Sequence, residues 1–507
     1  MLNVDPLVKF LHGPSLRRYL VDGAAELLCS PGPQGWEALR FAIYYTATTS
    51  LEPEDCLKNL GEEKSVLLAR YRSGVEATLA LADFVNSAKF GIRSNENTRR
   101  TWTLTSLAVR IAQALGLHRE DKGNTHLRPF EREMRRRLWW SICLIDRQGS
   151  FDRGSDPIIT VRSFNTPLPL NINDEDLIPG SREEPRILKD FTDMTLGLVC
   201  HELFDTERRL NFVPPGDFDK PQGSSTVPWS QKRDWVMECQ KRIDDKYLRH
   251  CSTSIIVQRY TIFIGDIMLA IMWLCTVRPV QKRWDMDSFE VPGPEILRIS
   301  VEIMEKAIKF SMDESVKPFI WISRIWVQWH ALAIMLAELC VQVEGPVVER
   351  AWSIVNVAYD EVSRLISDSE KGRLFRPIKK LMQKAKMVRE MHLDKYKTVQ
   401  ASQRLDEPVQ TGNRTDFAPG NEPIAATTTA LGAGPHMAAY SQTVTNNSDL
   451  DLINWDASLL TGTWNGMDCN SMNEMSWTNW ESFVEDFQAS ADPQLDSDTA
   501  MYNSVAM

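Results

Sequence analysis

Two consecutive runs of helical periodicity, residues 100–120 and 130–147, constrain this chain more than any other feature. In RTWTLTSLAVRIAQALGLHRE, the residues Leu104, Leu107, Ala108, Ile111 and Leu115 recur at three- and four-residue intervals and predict one apolar helix face. Gly116 stands where such a helix ends in a left-handed cap. Pro129 suits the first turn of a second helix. In FEREMRRRLWWSICLIDR, the residues Phe130, Met134, Leu138, Ile142 and Ile145 form the next stripe. Glu131 with Arg135 and Glu133 with Arg137 are spaced as i,i+4 pairs for its wet flank, worth about 0.2–0.5 kcal/mol each. The two runs predict packed helices and bring no catalytic constellation.

The same periodicity continues from Trp36 to about Tyr396 without sustained alternation, so the predicted class is all-α. Within FIWISRIWVQWHALAIMLAELC, a single face is expected to carry Ile322, Ile325, Trp326, Trp329, Ala333, Leu336 and Cys340. Loops are expected at 165–185 and 213–227, which are rich in Pro, Gly, Asn and Asp. The greasiest stretch, 255–277, is interrupted by Arg259 and Asp266, and its uncharged part falls short of the ~20 residues that span a bilayer. A core helix is expected there, with no membrane partner. At 507 residues the chain exceeds the ~250–300 at which single cores stop growing. Four regions are expected: a leading segment 1–35, a helical domain 36–396, a flexible linker 397–447 and an acidic-aromatic region 448–507.

Charge supports that division. Residues 401–507 hold fifteen Asp or Glu against two Arg, whereas the other 400 residues hold 53 acidic and 56 basic side chains. The net charge of −10 therefore belongs to the tail, and the body offers no long-range attraction to nucleic acid. In the tail, Trp455, Trp464, Trp477, Trp480, Phe483 and Phe487 interleave with acids, the composition of a disordered activation segment. The acids keep the rings in water until a coactivator groove takes them up as a short helix. An acidic solubilising tail is the other reading. Between 371 and 389 lie eight basic and no acidic residues, among them Lys379, Lys380, Lys384, Lys386 and Arg389. These suit nuclear import or phosphate contact, or equally the solvated side of a terminal helix.

Enzyme motifs are missing. His201-Glu202-Leu203-Phe204-Asp205 opens like a zinc-protease HExxH but ends in Asp, so His201 is expected on a helix surface. No phosphate-cradling glycine loop and no nucleophile elbow occurs. Asp174, Glu175 and Asp176 are expected to start a helix rather than to hold a metal. The nine cysteines form no CxxC and several sit in apolar runs, as reduced core residues of a nuclear or cytosolic protein do. Arg135, Arg136 and Arg137 are expected to be a solvated, salt-bridged face.

The order of these blocks resembles the regulatory domain, or middle homology region, of fungal binuclear zinc-cluster activators. The blocks are VDPLVKFLHGPS, EALRFAIYYTATTSLEPEDC, LLARYRSGVEATLALADF, the two runs above with LPLNINDEDL, VQWHALAIMLAELC, ERAWSIVNVAYDE and RPIKKLMQKAKMVRE. The resemblance implies a large multi-helix regulatory domain followed by a disordered acidic tail, in a nuclear, pathway-specific transcription regulator. It implies DNA as a partner by family alone, a coactivator at the tail, a second copy of the chain, and no enzyme activity. Trp139, Trp326 and Trp329 are the rings that would line an effector pocket. Two departures matter. The family's six-cysteine zinc cluster, which normally precedes this region, has no counterpart here, since Cys29 and Cys56 cannot supply six thiolates; no cofactor residue carries over. The family's Leu-Gln-Ala helix is replaced by VNSAKFGIRSNENTR before Thr101. A reader-less coactivator or competitor is the alternative within gene control, and an all-α ligand-binding protein or enzyme is the alternative outside it.

Overall fold

The computed structural model describes residues 4–6, 9–22, 33–81, 98–120, 127–152, 154–210, 229–279, 291, 293–324, 328–365, 375–405 and 479–486. Among them there is no strand. Thirteen helices follow in order: α1 (Gly13–Asp22), α2 (Pro33–Thr49), α3 (Pro53–Leu60), α4 (Lys64–Leu81), α5 (Thr98–Ala114), α6 (Pro129–Phe151), α7 (Thr195–Leu210), α8 (Trp229–Lys246), α9 (Ile256–Val277), α10 (Gly293–Ser311), α11 (Trp329–Leu339), α12 (Pro346–Leu365) and α13 (Phe375–Leu405). A further helix, described below, spans 479–486. One compact unit holds Met1–Arg389 with Gly462–Met507, and a second holds Glu390–Thr461. In the second unit the described part is the latter half of α13, which is mostly exposed. That helix runs past the expected linker start at 397 to Leu405. The expected loop at 213–227 and the segment 85–97 lie outside the described residues.

Chain neighbours make most of the packing: α2 on α4, α5 on α6, α7 on α8 and α9, and α10 on α11 and α12. The α2–α4 approach is close enough to demand glycine, because a Cβ on Gly74 would lie 2.7 Å from the Phe41 ring. Between α5 and α6 the sequence reading is right about the helices and partly right about their faces, since Ile111, Phe130 and Ile142 are buried as expected. Val109 and Ala112 meet Trp139, Trp140 and Cys143, whereas Leu107 and Leu115 are exposed. The large α6 rings take up the room at this contact, so small side chains face them and the bigger leucines turn outward. Gly116 adopts φ 66°, and the Leu117 N–H donates to Ala112 O at 2.9 Å, closing α5 as its left-handed cap. Pro129 stands in the first turn of α6, and Glu131 reaches back to the Arg128 N–H at 3.2 Å.

The expected wet flank of α6 is also corrected. Glu133 and Arg137 do pair, at 3.1 Å, but with 1% and 0% side-chain exposure. Arg137 also meets Asp174 at 2.6 Å, and Asp174 meets Lys9 at 2.7 Å and accepts the Gly13 N–H at 2.7 Å. Lys9 in turn pairs with Asp5. Buried charges persist only when paired and hydrogen-bonded, and this web supplies both. It ties residues of the expected leading segment into the core. Asp174 begins a 3-10 turn, Asp174–Asp176, yet the helix end its carboxylate caps is that of α1. Arg136 bonds Glu120 at the rim and Arg135 donates to Leu115 O, so only part of the arginine run is a solvated face.

Helix α9 is long and apolar enough to cross a membrane, but most of it is buried in the bundle. The expected single helix across 319–340 is two elements, a 3-10 turn at Glu314–Arg324 and then α11. Every residue of α11 is buried, so the expected one-sided stripe does not exist. A helix enclosed on all sides has no polar face to keep.

Candidate functional site

The described part of the tail, helix 479–486, sits on the body rather than in water. Its sequence, NWESFVED, places Trp480, Phe483 and Val484 on one side at i, i+3, i+4 spacing, and all three are buried. Their seat is built from the end of α9, the start of α11 and one side of α13. The Trp480 indole Nε1–H donates to Pro279 O at 3.0 Å. The Trp480 ring stands edge-on to His330 at 5.3 Å and stacks with Phe483 at 5.1 Å. Phe483 lies 6.4 Å from Trp329. Asn479 donates to Ala337 O at 3.4 Å and accepts from Lys384 Nζ at 2.5 Å. Lys380 pairs with Asp486 at 2.8 Å.

Beneath the seat lies a second buried polar group. Arg278, at the end of α9, pairs with Glu338 of α11 at 3.3 Å with both side chains almost fully enclosed. His330 Nε2 donates to Arg278 O at 2.9 Å, leaving Nδ1 to face Cys275 Sγ at 3.9 Å. Burial holds the His330 imidazole near a pKa of about 4, opposed by its backbone hydrogen bond, so the ring is neutral at physiological pH.

Two sets of sequence candidates therefore meet at one place. Trp480 and Phe483 come together with Lys380 and Lys384; Trp455, Trp464, Trp477 and Phe487 lie outside the described residues. The remaining basic residues do not form one patch. Lys379 lies over the Phe375 ring at 6.0 Å. Arg389 pairs with Glu349 at 3.0 Å and covers Trp352 at 4.6 Å. Lys386 is exposed.

A cavity of about 110 Å³ adjoins the seat. It lies among α6, α7, α9, α10 and the 3-10 turn, and its walls include Tyr260, Phe263, Met268, Met304, Phe310 and Phe319. Phe151 and His330 also line it, and Phe151 packs on Trp329 at 5.1 Å, so one layer of side chains separates cavity from seat. The tryptophans considered for an effector pocket are placed apart where they are described: Trp139 fills the α5–α6 core and Trp329 supports the tail helix, while Trp326 lies outside the described residues. Sequence reasoning missed the cavity because its rings are spread over distant segments with no shared spacing.

The seven described cysteines are free and distributed over separate elements, and no group of three or more metal-ligating side chains occurs among the described residues. His201 is not on a helix surface: it is buried, with its ring 5.6 Å from Trp140, and burial lowers its pKa to about 3. Its neighbour Glu202 binds Arg242 at 2.6 Å and Lys246 at 3.0 Å, which commits the carboxylate to structure.

Residues 87–206, which include α5, α6 and most of α7, match the profile of the fungal specific transcription factor domain. The chain carries that domain. It is 31% identical over 418 residues to the C6 finger domain transcription factor adaR of Aspergillus niger, a match covering 76% of this chain and 52% of adaR. The C6 finger domain transcription factor nscR of Trichophyton verrucosum is 31% identical over 392 residues, covering 73% and 57%. The Aurofusarin cluster transcription factor aurR2 of Gibberella zeae is 27% identical over 384 residues, covering 72% and 56%. The chain spans about half the length of the curated relatives it matches. No solved structure matches it.

Proposed function

We propose that this chain is the regulatory and activating part of a nuclear transcription regulator for a dedicated gene set, and that the helical body holds part of the activation segment on its surface. The observation that carries this reading is the burial of Trp480 and Phe483 against α11, with Lys380 and Lys384 facing the tail's polar groups. The match of 87–206 to the fungal specific transcription factor domain supports the regulatory role, as do relatives named as transcription factors. Sequence-specific DNA contact belongs to this reading through that family. The chain's own charge supports contact with the transcription machinery through the acidic tail.

Magnitudes favour a reversible hold. Burying Trp480, Phe483 and Val484 gains about 1.5–3 kcal/mol each. Fixing the backbone of a short segment costs about 1–2 kcal/mol per residue, the same order over one or two turns. A coactivator groove offering comparable burial therefore competes with the seat, and the same rings serve both.

The test fuses the full chain to a foreign DNA-binding domain in a fungal host with a reporter. Replacing both Trp480 and Phe483 with Ala should lower activation at least tenfold at equal protein level. Reversing Lys380 and Lys384 to Glu, which weakens the seat and leaves the tail intact, should raise it severalfold. An inactive parent, or charge-reversed and parent fusions of equal strength, would reject the reading.

A further inference from the structure

The cavity beside α9 contains one feature that packing alone does not account for. Tyr260 is 0% exposed and lines the cavity, and its hydroxyl has no hydrogen-bond partner. A buried hydroxyl left unpaired is costly, and such groups are uncommon in native cores. Of the charged groups on the wall, Arg147 pairs with Glu207 and lies over Phe151 at 4.3 Å. Gln148, Ser311, Gln328, His330 and Glu361 also border the cavity, and the rest of the wall is aromatic, aliphatic and thioether surface. Tyr260 stacks with Phe319 at 4.9 Å, and Phe263 is nearly parallel to Phe310.

We propose that this cavity is a binding site for a small flat aromatic molecule bearing one oxygen function, with that oxygen bonded to the Tyr260 hydroxyl. The chemistry of the lining selects the class. Tyr260 with Phe319 and Phe263 with Phe310 already stack on one another, so a ligand ring would pack against their outer faces and edges, contacts from which aromatic pairs gain. An anionic ligand would meet no free countercharge, because the one arginine on the wall, Arg147, is already paired with Glu207. At about 110 Å³ the cavity is smaller than the roughly 150 Å³ apolar cavity that holds benzene, so one ring enters only as Met268, Met272 and Met304, whose unbranched chains yield readily, move aside. The oxygen supplies the partner that Tyr260 lacks. The site is distinct from the tail seat and does not depend on the transcriptional reading.

p-Cresol and toluene are matched probes, nearly equal in size and differing in the hydroxyl. Calorimetric titration of the full chain should show saturable one-to-one binding of p-cresol in the micromolar to millimolar range. Ala307→Trp, which fills the cavity from a partly exposed position of its wall, should abolish binding of both probes. Ile271→Trp, on another wall, repeats that test should the first variant fail to fold. Tyr260→Phe should weaken p-cresol about tenfold, the loss of one hydrogen bond, and leave toluene unchanged. The same variant should melt at a higher temperature than the parent when no ligand is present, since it removes an unpaired buried group. A hydroxyl with a merely structural role would give the opposite melting shift. Absence of saturable p-cresol binding, binding that survives both filling variants, or a Tyr260→Phe protein that loses stability and keeps its p-cresol affinity would each overturn the proposal.

Discussion

Arg137 shows what sequence spacing does and does not disclose. Its i,i+4 relation to Glu133 was visible, and the pair forms. Its burial was not, because the groups that make burial tolerable, Asp174 and Lys9, lie 37 and more residues away. The web has a definite electrostatic order. Burial pushes the Asp174 carboxyl up, but Arg137 and Lys9 outweigh it and hold the pKa below the ordinary carboxylate value. For Glu133 burial wins and the pKa rises. Arg137→Met should therefore cost about 3–5 kcal/mol in denaturant unfolding, since it leaves Glu133 buried without a cationic partner and Asp174 with Lys9 alone. Histidines supply a separate pH response. His201 and His330, with folded pKa values of about 3 and about 4 against the ordinary 6.5 of histidine, stay neutral in the core and protonate on unfolding. Their folded values are lowered, so the unfolded chain binds more protons between those values and 6.5, and stability falls as pH drops through that window. Each contributes about 2 kcal/mol of loss between pH 7 and pH 5. His201→Phe should remove about half of this slope, measured by urea melts at the two pH values.

At the scale of elements, the existence of the helices was legible and the orientation of several was not. Periodicity located α5 and α6 because their apolar residues repeat at the helical interval. It could not show that Trp139 and Trp140 would select Val109 and Ala112 as their neighbours and leave Leu107 and Leu115 outside. In α11 the pattern was misread for the opposite reason. A helix buried all round has no contrast between faces, and the 3-10 turn before it breaks the phase. These elements give paired expectations. Trp329→Ala should destabilise the body by about 3–5 kcal/mol through the cavity it leaves, whereas Leu115→Ser, at an exposed position, should stay within about 0.5 kcal/mol. Gly74→Val should cost about 1–3 kcal/mol or more, because its side chain must displace the Phe41 ring between α2 and α4. Equal melting of the Trp329 and Leu115 variants would show that the buried faces are assigned wrongly.

Across the whole molecule, the sequence separated an acidic tail from a near-neutral body, and it singled out both the tail's rings and the basic residues of α13. What it could not show is that Asn479 and Lys384, 95 residues apart, belong to one contact. Composition describes a segment by itself, and the acid-rich tail has every mark of a chain that prefers water. The seat exists because α11 and the end of α9 present an apolar surface and an unpaired carbonyl at Pro279, which the indole N–H of Trp480 completes. Its two components should respond differently to conditions. The Lys380–Asp486 pair is exposed on both sides, and pairs of that kind are worth about 0–1 kcal/mol and are screened by salt. Ring burial is indifferent to ionic strength over the same range. Amide hydrogen exchange of residues 479–486 in the full chain should therefore change by no more than about twofold to threefold between 0.05 and 0.5 M salt. Phe483→Ala should raise it by at least tenfold, with the amides of α6 and α7 unaffected. A seat that opens with salt and ignores the loss of Phe483 would be held by charge, and a coactivator groove could not then release the helix by matching its apolar face.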